Sequence, residues 1–287
     1  MDIALKEHIS DVLGEVILGA SPMTGGDINH AVKVETKQDI YFVKWNDIPQ
    51  SLAMLESEAF ALQSLQNTQT IGIPNIIAVS SFENKAYLIL QFIHSKQKPD
   101  SRDLVNFGRH LAKLHLVPTD YFGYPEDNFI GRLTQVNLKS DNWSEFYIKH
   151  RLHPQIATAK NSNHLSNISA ESIDRLYVKI DALLKDTIPS LLHGDLWSGN
   201  YIIANNGQSY LIDPASYYGH AEVDLAMSEL FGGFGEDFYI GYNDVKKISA
   251  NYTHRREIYQ LYYLLVHLNL FGRSYEESCA RILRKFN

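Results

Sequence analysis

Two runs near the N-terminus alternate apolar and polar positions, VKVET at 32–36 and IYFVKW at 40–45, linked by polar residues 37–39. Period-two alternation across a short polar link predicts a β-hairpin. At 51–66 the period changes. Leu52, Leu55, Ala59, Leu62 and Leu65 recur at spacings of three and four, which predicts a helix with one apolar stripe. Residues 86–93 (AYLILQFI) are apolar almost without interruption, so a strand central in its sheet is expected there. The following segment, HSKQKPD at 94–100, is polar and contains a proline. It is the expected boundary between an N-terminal unit, 1–94, and a C-terminal unit, 95–287.

Beyond that boundary helical periodicity dominates, with helices predicted at 103–116, 142–159, 168–185, 238–248, 255–271 and 275–286. The apolar run LYYLLVHLNL at 261–270 reads as a buried helix, since it is far too short to span a bilayer. The clear strands in this half are two short arms around Asn206-Gly207, a strong two-residue hairpin signal. A two-residue turn would set Asn200 opposite Asp213, with Cβ atoms about 5 Å apart. The expected class is α+β and bilobal: a small antiparallel-sheet lobe with one key helix, then a larger, mainly helical lobe.

The chemistry concentrates in HGDLWSGN at 193–200 and LIDPASYYGHAEVDLAM at 211–227. Asp195 can accept a hydroxyl proton, while Asn200 and Asp213 offer oxygen ligands to magnesium. Base, asparagine and metal aspartate in this order form the layout of protein kinases. Lys44, on the second predicted strand, suits the α- and β-phosphates of ATP. Its expected partner is Glu58, which lies on the inward stripe of the predicted helix and wants a counter-charge there. Gly25-Gly26 precedes the first strand, and two readings stand: a phosphate cradle of backbone amides, or a plain strand-entry turn. His193 is expected to brace the loop. Asp224 either contacts that loop or caps a helix, and Trp197 is either core or a platform for a sugar ring.

The overall balance narrows the partners. With 26 basic and 33 acidic residues the formal charge is −7, which argues against nucleic acid or an anionic membrane as main partner. A single cysteine excludes an internal disulfide and fits a reducing cytoplasm. The first fourteen residues are charged and amphipathic, without the apolar core of a signal peptide. No GxSxG, HExxH or paired-cysteine spacing occurs, so serine-hydrolase and zinc schemes find no support.

These residues resemble the fructosamine kinase (ketosamine-3-kinase) family, within the protein-kinase-like and aminoglycoside-phosphotransferase-like fold. The likeness rests on HGDLWSGN, DPASYYGHAEVDLAMSELFGGF and YQLYYLLVHLNLFG, and extends through NFIGRLTQVN and RLHPQ. It implies ATP-dependent phosphorylation of the 3-hydroxyl of a ketosamine, free or on a glycated protein, with Mg²⁺, leading to deglycation. Ribulosamine and erythrulosamine adducts are the acceptors it favours, with fructosamine as a third. By position it makes Asp195 the base, Asn200 and Asp213 the metal ligands and Lys44 with Glu58 the ATP anchor. Ile93 with Gln91, in QFIHS, matches the hinge that meets adenine. The runner-up is a related kinase of the aminoglycoside or choline type. Two departures matter: GGDINH lacks the redox cysteine some members carry, and Arg132 and Thr134 replace a serine and a proline of many relatives.

Overall fold

The computed structural model describes residues 1–23, 29–185 and 187–285. The chain falls into two compact units, Met1–Pro99 with Gly199–Pro214, and Asp100–Ser198 with Ala215–Asn287. In chain order the first unit contains α1 (Ile3–Leu13), β1 (Gly19–Pro22), β2 (His30–Glu35), β3 (Ile40–Asn46), α2 (Ser51–Asn67), β4 (Ile76–Phe82) and β5 (Lys85–Gln91). The second begins with α3 (Ser101–Leu114), β6 (Asn128–Ile130), β7 (Leu133–Gln135), α4 (Trp143–Tyr147), α5 (His153–Asn161), α6 (Ala170–Leu184) and β8 (Pro189–Leu191). The chain then returns to the first unit for β9 (Tyr201–Ile203) and β10 (Ser209–Leu211). It ends in the second with β11 (Tyr218–His220), α7 (Glu222–Leu230), α8 (Glu236–Val245), α9 (Tyr252–Phe271) and α10 (Glu276–Lys285).

Five antiparallel strands form the first sheet in the order β1-β2-β3-β5-β4. The predicted hairpin is β2–β3, with Glu35 opposite Ile40. The apolar strand β5 is interior, next to the edge strand β4 rather than at the centre, which β3 occupies. Alternation gives each sheet face its own helix. Val32, Val34, Val43, Tyr87 and Ile89 form one cluster with Leu5 and Ile9 of α1. Lys44, opposite Leu88, points to the other face, where it meets Glu58 of α2. The N-terminal region therefore holds a second helix besides the one predicted. Asp2 caps α1 by accepting the Leu5 amide at 2.9 Å, and Gly14 ends it in the left-handed region.

The hairpin β9–β10 differs from expectation by one register step. Ile203 lies opposite Ser209 and Tyr201 opposite Leu211, so Asn200 faces Ile212 rather than Asp213. The loop has three residues, 205–207, closed by Ala204 N–H to Gln208 carbonyl at 2.8 Å. Gly207 takes φ +82, and the Asn206 side chain accepts the Gln208 amide at 3.0 Å. A type I turn followed by a left-handed glycine suits this sequence as well as the two-residue turn does, and here the Asn206 side chain stabilises it.

In the second unit α3, α6, α8, α9 and α10 match their predicted spans closely, α7 had no predicted span, and a π-helical turn, Ile148–Leu152, joins α4 to α5 where one helix was expected at 142–159. Two short antiparallel pairs, β6–β7 and β8–β11, went unpredicted because three-residue strands carry too little alternation to register. Helices α3 and α8 touch backbone to backbone. A Cβ on Gly108 would stand 2.0 Å from the Phe238 carbonyl oxygen, and one on Gly241 1.9 Å from that of Val105. In α9, Leu261, Tyr262, Tyr263, Leu265, Val266 and Leu268 are buried, as the apolar run predicts. No helix among the described residues is long and apolar enough to cross a membrane.

Candidate active site

In the first unit the site is built around Lys44. The strand buries it to 4% exposure, and α2 brings Glu58 Oε1 within 2.8 Å of its ammonium. A third group arrives from the hairpin: Asp213 Oδ1 forms an ion pair with the same ammonium. Asp213 has φ +55, in the left-handed region. That backbone turn aims the carboxylate at Lys44, which the strand register alone does not arrange. Burial pushes the Lys44 ammonium down, but Asp213 and then Glu58 outweigh it, holding its pKa above the ordinary lysine value. Burial raises the Glu58 carboxyl above its ordinary value, with Lys44 opposing the shift and Asp213 adding to it. Both carboxylates therefore depend on one cation.

The hairpin is pinned within this unit by main-chain bonds. Lys96 N–H donates to the Ile203 carbonyl at 2.7 Å, and Leu211 N–H to that of Gly72 at 3.0 Å. Asn200 is buried, and its carbonyl accepts the Ile212 amide at 3.1 Å. Gln91 is engaged locally, its amide donating to Asn75 and its side chain accepting the Asn75 amide at 3.3 Å. Ile93 follows β5 and is half-buried. Gly25 and Gly26 lie outside the described residues.

In the second unit the loop after β8 carries His193, Gly194 and Asp195. Asp224, wholly buried in the first turn of α7, accepts the His193 amide at 2.7 Å and the Gly194 amide at 2.9 Å. Of its two sequence readings, loop contact is the geometry present, and Ala221 stands at the cap position. His193 is buried, and its Nδ1 accepts the Asp195 amide at 3.2 Å, so the ring braces the loop. Gly194 has φ +84, and a Cβ there would lie 2.1 Å from the Ala215 carbonyl oxygen. Asp195 is half-buried. Trp197 is 37% exposed, which sets it outside the core.

Residues that carried no motif signal complete the frame. The Tyr263 hydroxyl donates to the Gly194 carbonyl at 2.7 Å. His115 meets Asp224 through Nε2 at 3.1 Å and the Tyr242 hydroxyl through Nδ1 at 2.8 Å. A buried polar ladder holds the chain after Pro214. Arg151 donates to Asn137 Oδ1 at 2.5 Å, Asn137 to Asn128 at 2.9 Å, and Asn128 to the Ser216 carbonyl at 2.7 Å. Gln135 joins from β7, donating to Asn128 and accepting the Tyr262 hydroxyl at 2.6 Å. The segments NFIGRLTQVN, RLHPQ and YQLYYLLV thus converge on the DPASYYG run. Their signal was family likeness, because no local pattern reveals a long-range polar ladder.

The magnesium reading rests on donor chemistry. Asp213 and Asn200 supply a carboxylate and an amide oxygen, fitting a hard cation that takes few protein ligands and completes its shell with phosphates and water. Among the described residues no group of three or more His, Cys, Asp or Glu could hold a metal.

The sequence model of a family described as "Fructosamine kinase" matches residues 1–287. A probable ketoamine kinase of Synechocystis sp. is 38% identical, aligning 98% of this chain with 95% of that protein. The chloroplastic protein-ribulosamine 3-kinase of Arabidopsis thaliana is 37% identical over 90% of this chain and 79% of its own length. A crystal structure provisionally named fructosamine-3-kinase, from Haemophilus somnus, superimposes with a TM-score of 0.88 at 25% identity, covering 98% and 96% of the two chains.

Proposed function

This chain belongs to the fructosamine kinase family, and on that premise we propose that it transfers the γ-phosphoryl group of ATP to the 3-hydroxyl of a ketosamine. It is an ATP-dependent phosphotransferase with an alcohol group as acceptor. The acceptor we assign is a ribulosamine or erythrulosamine adduct on an amine or protein lysine, ahead of the fructosamine. The name of the plant relative supports that order. A 3-phosphorylated ketosamine is unstable and breaks down, so deglycation is the outcome of the reaction.

One observation carries the reading: a buried lysine shared by a helix glutamate and the aspartate of the DPASYYG run. In this role Lys44 meets the α- and β-phosphates and Glu58 fixes its orientation. Asp213 and Asn200 would hold Mg²⁺, which supplies neutralisation of the charge on the phosphates. Asp195 orients the sugar hydroxyl and accepts its proton. Asp224, His193 and Tyr263 keep the Asp195 loop in one conformation, so little reorganisation is left for the reaction. Ile93 serves the adenine by its main chain, and Gly25 with Gly26 serves the phosphates.

The test is a product-detected assay with ATP and ribulose-, erythrulose- and fructose-lysine. Phosphorylation of the first two, faster than of the third, is expected. Transfer to an aminoglycoside or choline with none to any ketosamine would overturn the assignment. In the same assay Asp195→Asn should lower kcat by about 10²–10⁴-fold while ATP still binds. Unchanged turnover in that variant would remove Asp195 from the role of base.

A further inference from the structure

Behind the loop that carries Asp195, the second unit contains a cavity of about 440 Å³. The β8–β11 ladder sets its place. Tyr218 pairs with Leu191 at the end leading into the loop, and His220 pairs with Pro189 at the other. His220 lines the cavity, together with the end of α6, the start of α7, the end of α8 and the start of α9. None of the residues assigned above to catalysis, metal or nucleotide lines it.

Its charge is opposite to that of the protein. Among the described residues, Lys185, Lys246, Lys247 and Arg255 face it against one carboxylate, Glu222, in a chain of formal charge −7. Glu222 is already engaged: Arg255 grips it bidentately, Nε at 2.7 Å and a terminal nitrogen at 2.6 Å. That pair is a fixed, buried wall. Lys246 is half-buried, and among the described residues no group lies in ion-pair range of its ammonium. A half-buried cation that makes no ion pair costs stability, and a bound anion would offset that cost.

The His220 imidazole is pushed down to about 3, first by burial and then by Arg255, Lys246 and His115. Lys246 is itself held below the ordinary lysine value by burial, although Glu222 pulls it up. The mouth of α9 adds to this, since Asn251 lines the cavity and the first turn of that helix holds no acidic residue.

We infer that this cavity is a binding site for a small phosphate monoester, its phosphate dianion held by Lys246 and Lys247 and its carbon skeleton laid against Ile188 and Ile248. Lysines are point-charge partners for phosphate, and Arg255 is committed to Glu222, so the free donors match that group. The volume lies within the range of small-molecule pockets and suits one sugar phosphate rather than a polymer.

Isothermal titration of the whole protein with inorganic phosphate and with ribose 5-phosphate tests the site. Saturable one-to-one binding of the sugar phosphate below about 10 mM is expected, weakened at least about tenfold in Lys246→Gln/Lys247→Gln. Ser249→Glu, which places a carboxylate at the exposed rim without removing a lysine, should weaken it as well. Equal affinity for both probes would overturn the monoester assignment, because the contact with Ile188 and Ile248 would then add nothing. Binding undiminished in both variants, or no saturation with either probe, would overturn the assignment.

Discussion

Lys44 is a desolvated cation whose two carboxylate partners lie 14 and 169 residues away in sequence. Removing one member of such a cluster leaves buried charge uncompensated, at a cost of about 3–5 kcal/mol. Lys44→Met should therefore lower the urea midpoint markedly and, on the proposed function, raise the KM for ATP. A wild-type midpoint would show that the cluster contributes little to folding. The sequence made the Lys44–Glu58 pair legible, because helical spacing puts Glu58 on an apolar stripe. The third member was less so. Asp213 reaches Lys44 through a left-handed backbone, and no propensity rule predicts that conformation for an aspartate in DPAS.

At the scale of elements, α7 is the clamp for the loop before β9. Asp224 holds two successive loop amides, and His115 and Tyr242 in turn hold Asp224. Asp224→Asn keeps the shape but weakens two charge-assisted bonds, each worth about 1.5–3 kcal/mol. Turnover should fall well over tenfold while the KM for ATP, which the proposed function assigns to Lys44 and Asp213, stays within about twofold. If the KM for ATP rose and kcat held, Asp224 would belong to nucleotide binding instead. Long elements with clear periodicity, such as α2, α3 and α9, were legible in advance. The hairpin register was not, since three-residue arms leave it to the turn, and Asn206-Gly207 permits both loop lengths. Nor was the polar ladder from Arg151 to Ser216, whose members are scattered over three short segments.

For the molecule as a whole, His220 couples stability to acidity. Its folded value, about 3, lies below the unfolded value near 6.5. Between these limits the unfolded chain binds a proton that the folded chain refuses. The stability is therefore complete above about pH 6.5 and lost as pH falls toward 3. Glu222 lies 3.7 Å from the ring, but Arg255 neutralises it and it does little to restore the proton. Urea midpoints should decline from pH 7 to 4.5, and His220→Gln should flatten part of that slope. An equal slope in the variant would assign the acid sensitivity elsewhere.

The return of Gly199–Pro214 to the first unit has a consequence for anyone dissecting the enzyme. A fragment cut after Pro99 would look like a self-sufficient nucleotide module, yet it would lose both the Asp213 partner of Lys44 and the hairpin that bonds to Gly72 and Lys96. Excision or domain grafting at that point should give insoluble or molten material. A workable split would have to carry the β9–β10 insert along with the first unit, so the chain cannot be divided by a single cut.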